Sequence, residues 1–148
     1  LGELSPALDN LSVYASYAYV NAEIREKGDT YGNQVPFSPK HKGTFGVDYK
    51  PGSWTFNLNG DFQSSQFADN ANTVAESADG STGRIPGYML WGARVAYDFG
   101  PQMANLNLAL GVKNIFDHAY YTRSYDDNNK GLYAGQPRTL YLQGSMKF

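Results

Sequence analysis

Apolar and polar residues alternate along several segments of this chain. In Trp54–Gln63, the residues Trp54, Phe56, Leu58, Gly60 and Phe62 alternate with Thr55, Asn57, Asn59, Asp61 and Gln63. At 139–148, Leu140, Leu142, Gly144, Met146 and Phe148 alternate with Thr139, Tyr141, Gln143, Ser145 and Lys147. Successive side chains of a strand point to opposite sides, so each segment predicts a strand with one apolar and one polar face. The same construction predicts strands over 11–22, His41–Tyr49, 88–99 and 106–116. Leu11, Val13, Ala15, Tyr17 and Tyr19 share the apolar face of the first. Phe45, Val47 and Tyr49 do so in the second, and Met89, Trp91, Ala93, Val95, Tyr97 and Phe99 in the fourth. Leu106, Leu108, Leu110 and Val112 form that face of the fifth. Asn114 breaks the pattern, because its parity is apolar; a bulge or an interfacial depth makes it tolerable there.

Charge follows the alternation. Asp48, Asp61, Arg94, Asp98, Lys113 and Lys147 all fall on the polar parity, an outcome expected by chance roughly once in 60 trials for a two-fold alternation. A lipid-facing surface imposes this, since Lys or Arg there costs about 2–4 kcal/mol at the bilayer midplane. A soluble sheet also hides charge from one face. The connections separate the two. Segments 50–53, with Pro51-Gly52, and 100–105 are short turns, whereas 23–40, 64–87 and 117–136 are long and polar. Short and long alternate strictly, as periplasmic turns and extracellular loops do in outer-membrane barrels. On this orientation Tyr49, Trp54, Tyr97, Phe99 and Phe148 form an aromatic girdle near the short turns. Tyr17, Tyr19, Phe62, Met89, Trp91 and Phe116 form a second near the long loops, the arrangement a membrane wall requires.

Composition fits this picture. Twelve Tyr, 8 Phe, 2 Trp and 16 Gly favour strands and turns over helices. The mean hydropathy of −0.51 reads as soluble only if every residue of a strand must be apolar; in a barrel only alternate residues meet lipid. No apolar run reaches the roughly 18 residues of a membrane helix. Twelve basic against 14 acidic residues imply no nucleic-acid partner, and the absence of cysteine excludes disulfides and thiolate metal sites. The first residue is Leu1 and no signal peptide is visible. Six strands are fewer than the roughly eight of the smallest barrels, and open edges in hydrocarbon cost several kcal/mol per unpaired group. The expectation is therefore one segment, 1–148, of a longer barrel, or several chains closing one together.

The run Gly111-Val112-Lys113-Asn114-Ile115-Phe116-Asp117, then Tyr120-Tyr121, Gly135-Gln136-Pro137-Arg138-Thr139 and the terminal Phe148, resembles the C-terminus of TonB-dependent outer-membrane receptors. Val35-Pro36 and Pro39-Lys40-His41-Lys42 resemble a preceding hairpin of that family. Phe67-Ala68-Asp69, Asn72-Thr73, 76–80 and Gly83 to Tyr88 are most similar to its ferric-citrate branch. The resemblance implies an all-β, antiparallel up-and-down transmembrane segment, the last three hairpins of a 22-stranded barrel in the outer membrane of a Gram-negative cell. It implies TonB-dependent uptake of a ferric siderophore, with a plug and a TonB box in a preceding N-terminal part. It also makes Phe148 the signal read by the barrel-assembly machinery. The rival readings are a passive porin or adhesin segment and a soluble secreted β-sandwich that binds through its loops.

No enzyme motif is present: no G-x-S-x-G, Walker loop or H-E-x-x-H. No cofactor is expected. His41 and His118 lack a second ligand at metal spacing, and 126–131 lacks the closing Glu of an EF-hand, so no metal site is assigned. For an anionic ferric chelate, arginines are natural ligands, because the guanidinium fork pairs carboxylates. Arg84, Arg123 and Arg138, with Tyr121, lie in or beside the long loops, and Arg25 is a further candidate; each is also placed to serve a loop ion pair. Tyr88, Tyr120 and Tyr125 are vestibule candidates or interfacial packing. Asp61, Arg94, Lys113 and Lys147 are expected to face the lumen, where they solvate it or meet the plug.

Overall fold

The computed structural model describes residues 9–122, 131 and 133–147. Six long strands form one antiparallel sheet: β1 (Leu11–Tyr19), β2 (His41–Tyr49), β3 (Trp54–Gln63), β6 (Tyr88–Asp98), β7 (Asn107–Lys113) and β10 (Thr139–Ser145). They are hydrogen-bonded in chain order, an up-and-down meander with β1 and β10 at its edges. Two small hairpins stand apart in the long connections: β4 (Gln66–Phe67) with β5 (Arg84–Ile85), and β8 (Tyr121–Thr122) with β9 (Tyr133–Ala134). The single sheet is not the pair of packed layers a sandwich requires.

The register carries the alternation across the whole sheet. One row reads Val13, Val47, Leu58, Ala93, Val112 and Leu140, aliphatic on every strand. Below it, toward the short turns, Tyr49, Phe56, Trp54, Tyr97 and Phe99 form a continuous chain of rings with centroids 4.7–6.4 Å apart. Above it, Phe45 meets Trp91 edge-on at 5.3 Å, Tyr17 stacks on His41, and Tyr19 meets the same ring at a tilt. Aromatic bands thus flank an aliphatic middle.

Burial is inverted relative to a soluble sheet. Along β3 the apolar Trp54, Phe56 and Leu58 are exposed, while Thr55, Asn57 and Asn59 are half-buried. Leu140 and Leu142 are 73% and 76% exposed. The buried apolar residues are only Ala68, Ile85, Ala96 and Ala109 among those described. Water would leave such a face at a cost of roughly 25 cal/mol per Å² of apolar surface; hydrocarbon removes that cost.

Several strands end earlier than alternation predicts. β1 stops at Tyr19 rather than 22, β6 at Asp98, and β10 at Ser145. β7 is Asn107–Lys113 rather than 106–116, because Asn114 turns the chain with φ 51° and leaves the ladder. Asn114 is therefore not a lipid-facing residue, and no bulge is needed: its side chain is buried at 5% exposure. Its Nδ2 donates to the carbonyls of His118 (3.0 Å) and Gln136 (3.1 Å), and its Oδ1 accepts from the His118 N–H (2.9 Å).

Candidate functional site

The two ends of the sheet differ as the loop lengths predict. At one end, Pro51 to Trp54 closes a turn through the Trp54 N–H and Pro51 carbonyl (3.1 Å), and a 3-10 turn at Pro101–Met103 joins β6 to β7. At the other, the first two long loops are joined to each other. The Gln34 N–H donates to Asn72 Oδ1 (2.7 Å) while Asn72 Nδ2 donates back to the Gln34 carbonyl (2.8 Å). Asn33 Nδ2 donates to the Asn70 carbonyl (2.9 Å), and the Phe37 N–H to that of Phe67 (2.9 Å). Asn72 adopts φ 55°, which presents both ends of its amide to the neighbouring loop as a strand backbone would.

Asp69 organises the second loop. Its carboxylate accepts from the Thr73 N–H (3.2 Å), the Thr73 hydroxyl (3.0 Å) and the Gly83 N–H (3.2 Å). Partial burial pushes its pKa up, but these hydrogen bonds to the charged form outweigh that and hold it below the ordinary 3.8. A cleft of about 630 Å³ opens between the joined loops, with Val35, Pro36 and Phe37 on one wall and Ala68, Asp69 and Asn70 on the other.

The polar face of the sheet is cross-linked by side chains. Asn57 Nδ2 donates to Asp48 Oδ1 (2.9 Å), and Thr44 Oγ1 and Asn59 Nδ2 donate to the two oxygens of Asp61 (2.7 and 3.1 Å). Glycines here admit aromatic rings from the next strand: a Cβ on Gly46 would collide with Tyr14, and one on Gly111 with Tyr141. Under the third loop, a pocket of about 310 Å³ is lined by Asn59, Asp61, Lys113, Tyr120, Gln136 and Tyr141 among others. Tyr120, on its lining, packs against Tyr88, 4.5 Å between ring centroids.

The candidate residues divide accordingly. Arg84 is exposed on β5 in the second loop. Tyr121 is half-buried on β8, and Arg138 is exposed just before β10, its N–H bound by Asp117 Oδ1 (2.8 Å). They belong to two different loops. Arg25 pairs with Glu23 at 2.9 Å, the ion-pair alternative for that residue. His41 begins β2 on the apolar face, and its Nδ1 lies 2.8 Å from the Tyr17 hydroxyl. Asp61, Arg94 and Lys113 share the polar face by register, and the Lys147 N–H reaches the Ala104 carbonyl (3.2 Å) at the short-turn end. Arg123, Tyr125, residues 126–130 and Phe148 lie outside the described residues. Asp69, Asn72 and Asn114, which hold the loops in shape, were not singled out as site residues. Asn114 is marked in the sequence by its misplaced parity, and Asp69 and Asn72 only as members of the run that resembles the ferric-citrate branch.

Comparison with known proteins gives one consistent result. A family model described as TonB dependent receptor-like, beta-barrel, matches residues 2–115. The crystal structure of the ferric citrate transporter FecA in its unliganded form is 87% identical, with a TM-score of 0.94, over 97% of this chain and 22% of that one. The metal-pseudopaline receptor CntO of Pseudomonas aeruginosa is 28% identical over 95% of this chain and 19% of its own length. The ferrichrome outer membrane transporter/phage receptor of Escherichia coli K12 is 27% identical over 94% and 18%. The chain spans about a fifth of the length of these relatives.

Proposed function

The chain belongs to the TonB-dependent receptor β-barrel family, and from that premise we propose that it is the C-terminal wall of an outer-membrane receptor for ferric citrate. The observation that carries this is the 87% identity, over nearly the whole chain, to a protein described as the ferric citrate transporter. The inverted burial supports the membrane setting: exposed Leu and Val rows need lipid, and the open ladder edges at β1 and β10 need further strands.

In this reading the apolar face meets outer-membrane lipid and the polar face lines the lumen. The long loops rise on the outside. Arg84, Arg123, Arg138 and Tyr121 offer guanidinium and phenol donors to an anionic chelate. Asp61, Arg94, Lys113 and Lys147 line the lumen and face a plug supplied by the N-terminal part, through which TonB acts. Phe148 serves the barrel-assembly machinery. Transport follows capture by the loops, closure over the chelate and rearrangement of the plug; no bond is made or broken by this chain.

The test is uptake. The whole reading frame containing this segment, in a Gram-negative host lacking its own ferric citrate receptor, should restore TonB-dependent accumulation of radioactive iron supplied as ferric citrate. Removal of residues 88–148 should abolish it. Iron uptake from a different chelate with none from ferric citrate would contradict the citrate assignment, and no uptake would contradict the receptor reading.

A further inference from the structure

The apolar face changes character at its edge nearest the long loops. From the aliphatic row toward those loops, the register gives first Ala15, Phe45, Gly60 and Trp91, then Tyr17, Gly43, Phe62 and Met89. The next row pairs Tyr19 with His41. Ser64 closes it: its N–H donates to the His41 carbonyl (2.9 Å), and its Oγ accepts from the His41 N–H (3.1 Å). A phenol, an imidazole and a hydroxyl thus end a face that is elsewhere aliphatic and aromatic.

Depth decides what meets these groups. His41 lies six residues from Val47 of the aliphatic row. That separation is about 20 Å along a strand, or about 15 Å along the membrane normal at the usual barrel tilt. Half of a hydrocarbon core about 30 Å thick is the same distance. The row therefore stands where acyl chains give way to headgroups.

The row has donors to spare. Tyr17 Oη and His41 Nδ1 are 2.8 Å apart, a contact that uses one proton. When the phenol donates it, the imidazole keeps a free N–H at Nε2; when Nδ1 donates it, the phenol O–H is free. Either way one donor is left over. The Tyr19 ring meets the same imidazole with centroids 5.3 Å apart, and its hydroxyl has no hydrogen-bond partner among the described residues. Tyr17 and Tyr19 are 62% and 58% exposed. No acid on this face of the six strands is placed to accept from them. A phosphate oxygen supplies the missing acceptor, and its charge strengthens each bond.

We infer that Tyr17, Tyr19 and His41 bind the phosphate of an outer-leaflet lipid headgroup, holding one lipid against the joint of β1 and β2. The inference rests on the membrane reading proposed above.

The test uses the full-length receptor in detergent, titrated with phosphatidic acid or with diacylglycerol of the same acyl chains. Retained lipid is read by native mass spectrometry, and the parent should retain phosphatidic acid over diacylglycerol. Tyr17→Phe, Tyr19→Phe and His41→Phe together keep rings in place and remove the donors. They should lower phosphatidic acid retention about 10-fold, as hydrogen bonds to a charged acceptor imply, and leave diacylglycerol retention unchanged. Tyr97→Phe, in the ring band near the short turns, should change neither. Heat-modifiable migration on gels checks that each variant is folded. Unchanged phosphatidic acid retention in the folded triple variant overturns the site. Equal loss of both lipids also overturns it, because the rings then act by apolar packing alone, and so does the same loss in Tyr97→Phe, because any outward phenol then suffices. A parent that retains diacylglycerol without preferring phosphatidic acid contradicts the headgroup site alone. A parent that retains neither lipid contradicts the membrane reading, and the site with it.

Discussion

The wall and the rim of this sheet are held by different forces. In the wall, order comes from repetition: each strand places an apolar residue outward every second position, and the register aligns them into rows such as Val13, Val47, Leu58, Ala93, Val112 and Leu140. No single residue carries that arrangement. In the rim, particular polar side chains fix the loops at single points, beside backbone hydrogen bonds such as those of the Phe37 N–H to the Phe67 carbonyl and the Ala68 N–H to the Gly83 carbonyl: Asn72 joins two loops, Asp69 gathers the second and Asn114 starts the third. A wall made by many equivalent contacts tolerates substitutions that preserve polarity and fails when polarity is reversed. A rim made by a few specific hydrogen bonds fails locally, one loop at a time.

The sharpest break of this comparison reverses polarity in the wall. Leu58→Arg puts a cation in the middle of the aliphatic row and is expected to cost about 2–4 kcal/mol, seen as a loss of heat-modifiable folded receptor after insertion into vesicles. Asn59→Lys, one residue away on the polar face, should insert normally. Equal loss from both would erase the distinction between the faces.

Next in size is the rim. Asn72→Ala removes both hydrogen bonds to Gln34 and leaves a backbone N–H and carbonyl without partners, an expected local cost of about 1–3 kcal/mol. Hydrogen exchange should then accelerate in 28–38 and 69–74 while the strands keep their protection. Exchange rising across the whole sheet would show that rim and wall are one cooperative unit.

Acid gives a smaller and more graded effect. The pKa of Asp69 is depressed in the folded loop, so its contribution is fully present above the ordinary value near 3.8 and is lost as pH falls through the lower folded value. Exchange in 69–83 should therefore rise in strong acid, and Asp69→Asn should show that faster exchange already at neutral pH with little further change on acidification. The smallest effect belongs to the exposed pair Arg25–Glu23. Arg25→Ala should change stability by about 0–1 kcal/mol, and a larger loss in thermal melting would mean that the first loop depends on charge more than its geometry indicates.

The same contrast explains what could be read from the sequence. The six strands, their faces, the alternation of short and long connections and the two aromatic bands follow from a period of two, which survives without any knowledge of neighbours. The exact ends of β1 and β7 did not follow, because they are set by particular turns: at Asn114 a positive φ and three hydrogen bonds outweigh the apolar run of Ile115 and Phe116. The small hairpins β4–β5 and β8–β9 are too short to show periodicity. The loop arginines were legible as residue types suited to a carboxylate, and the loop ranges already separate Arg84 from Arg138; the hydrogen bonds that shape those loops were not legible.

One measurement addresses the central claim, that this sheet is a membrane wall with its apolar face outward. The chain contains no cysteine, so a single cysteine introduced at Leu58 or at Asn57 can carry an environment-sensitive dye at a defined place in this segment. In the receptor reconstituted into vesicles containing brominated lipids, the dye at 58 should be strongly quenched by the lipid chains. The dye at 57 should be quenched by a water-soluble quencher instead. Equal lipid quenching at the two positions, or the reverse order, would contradict the account.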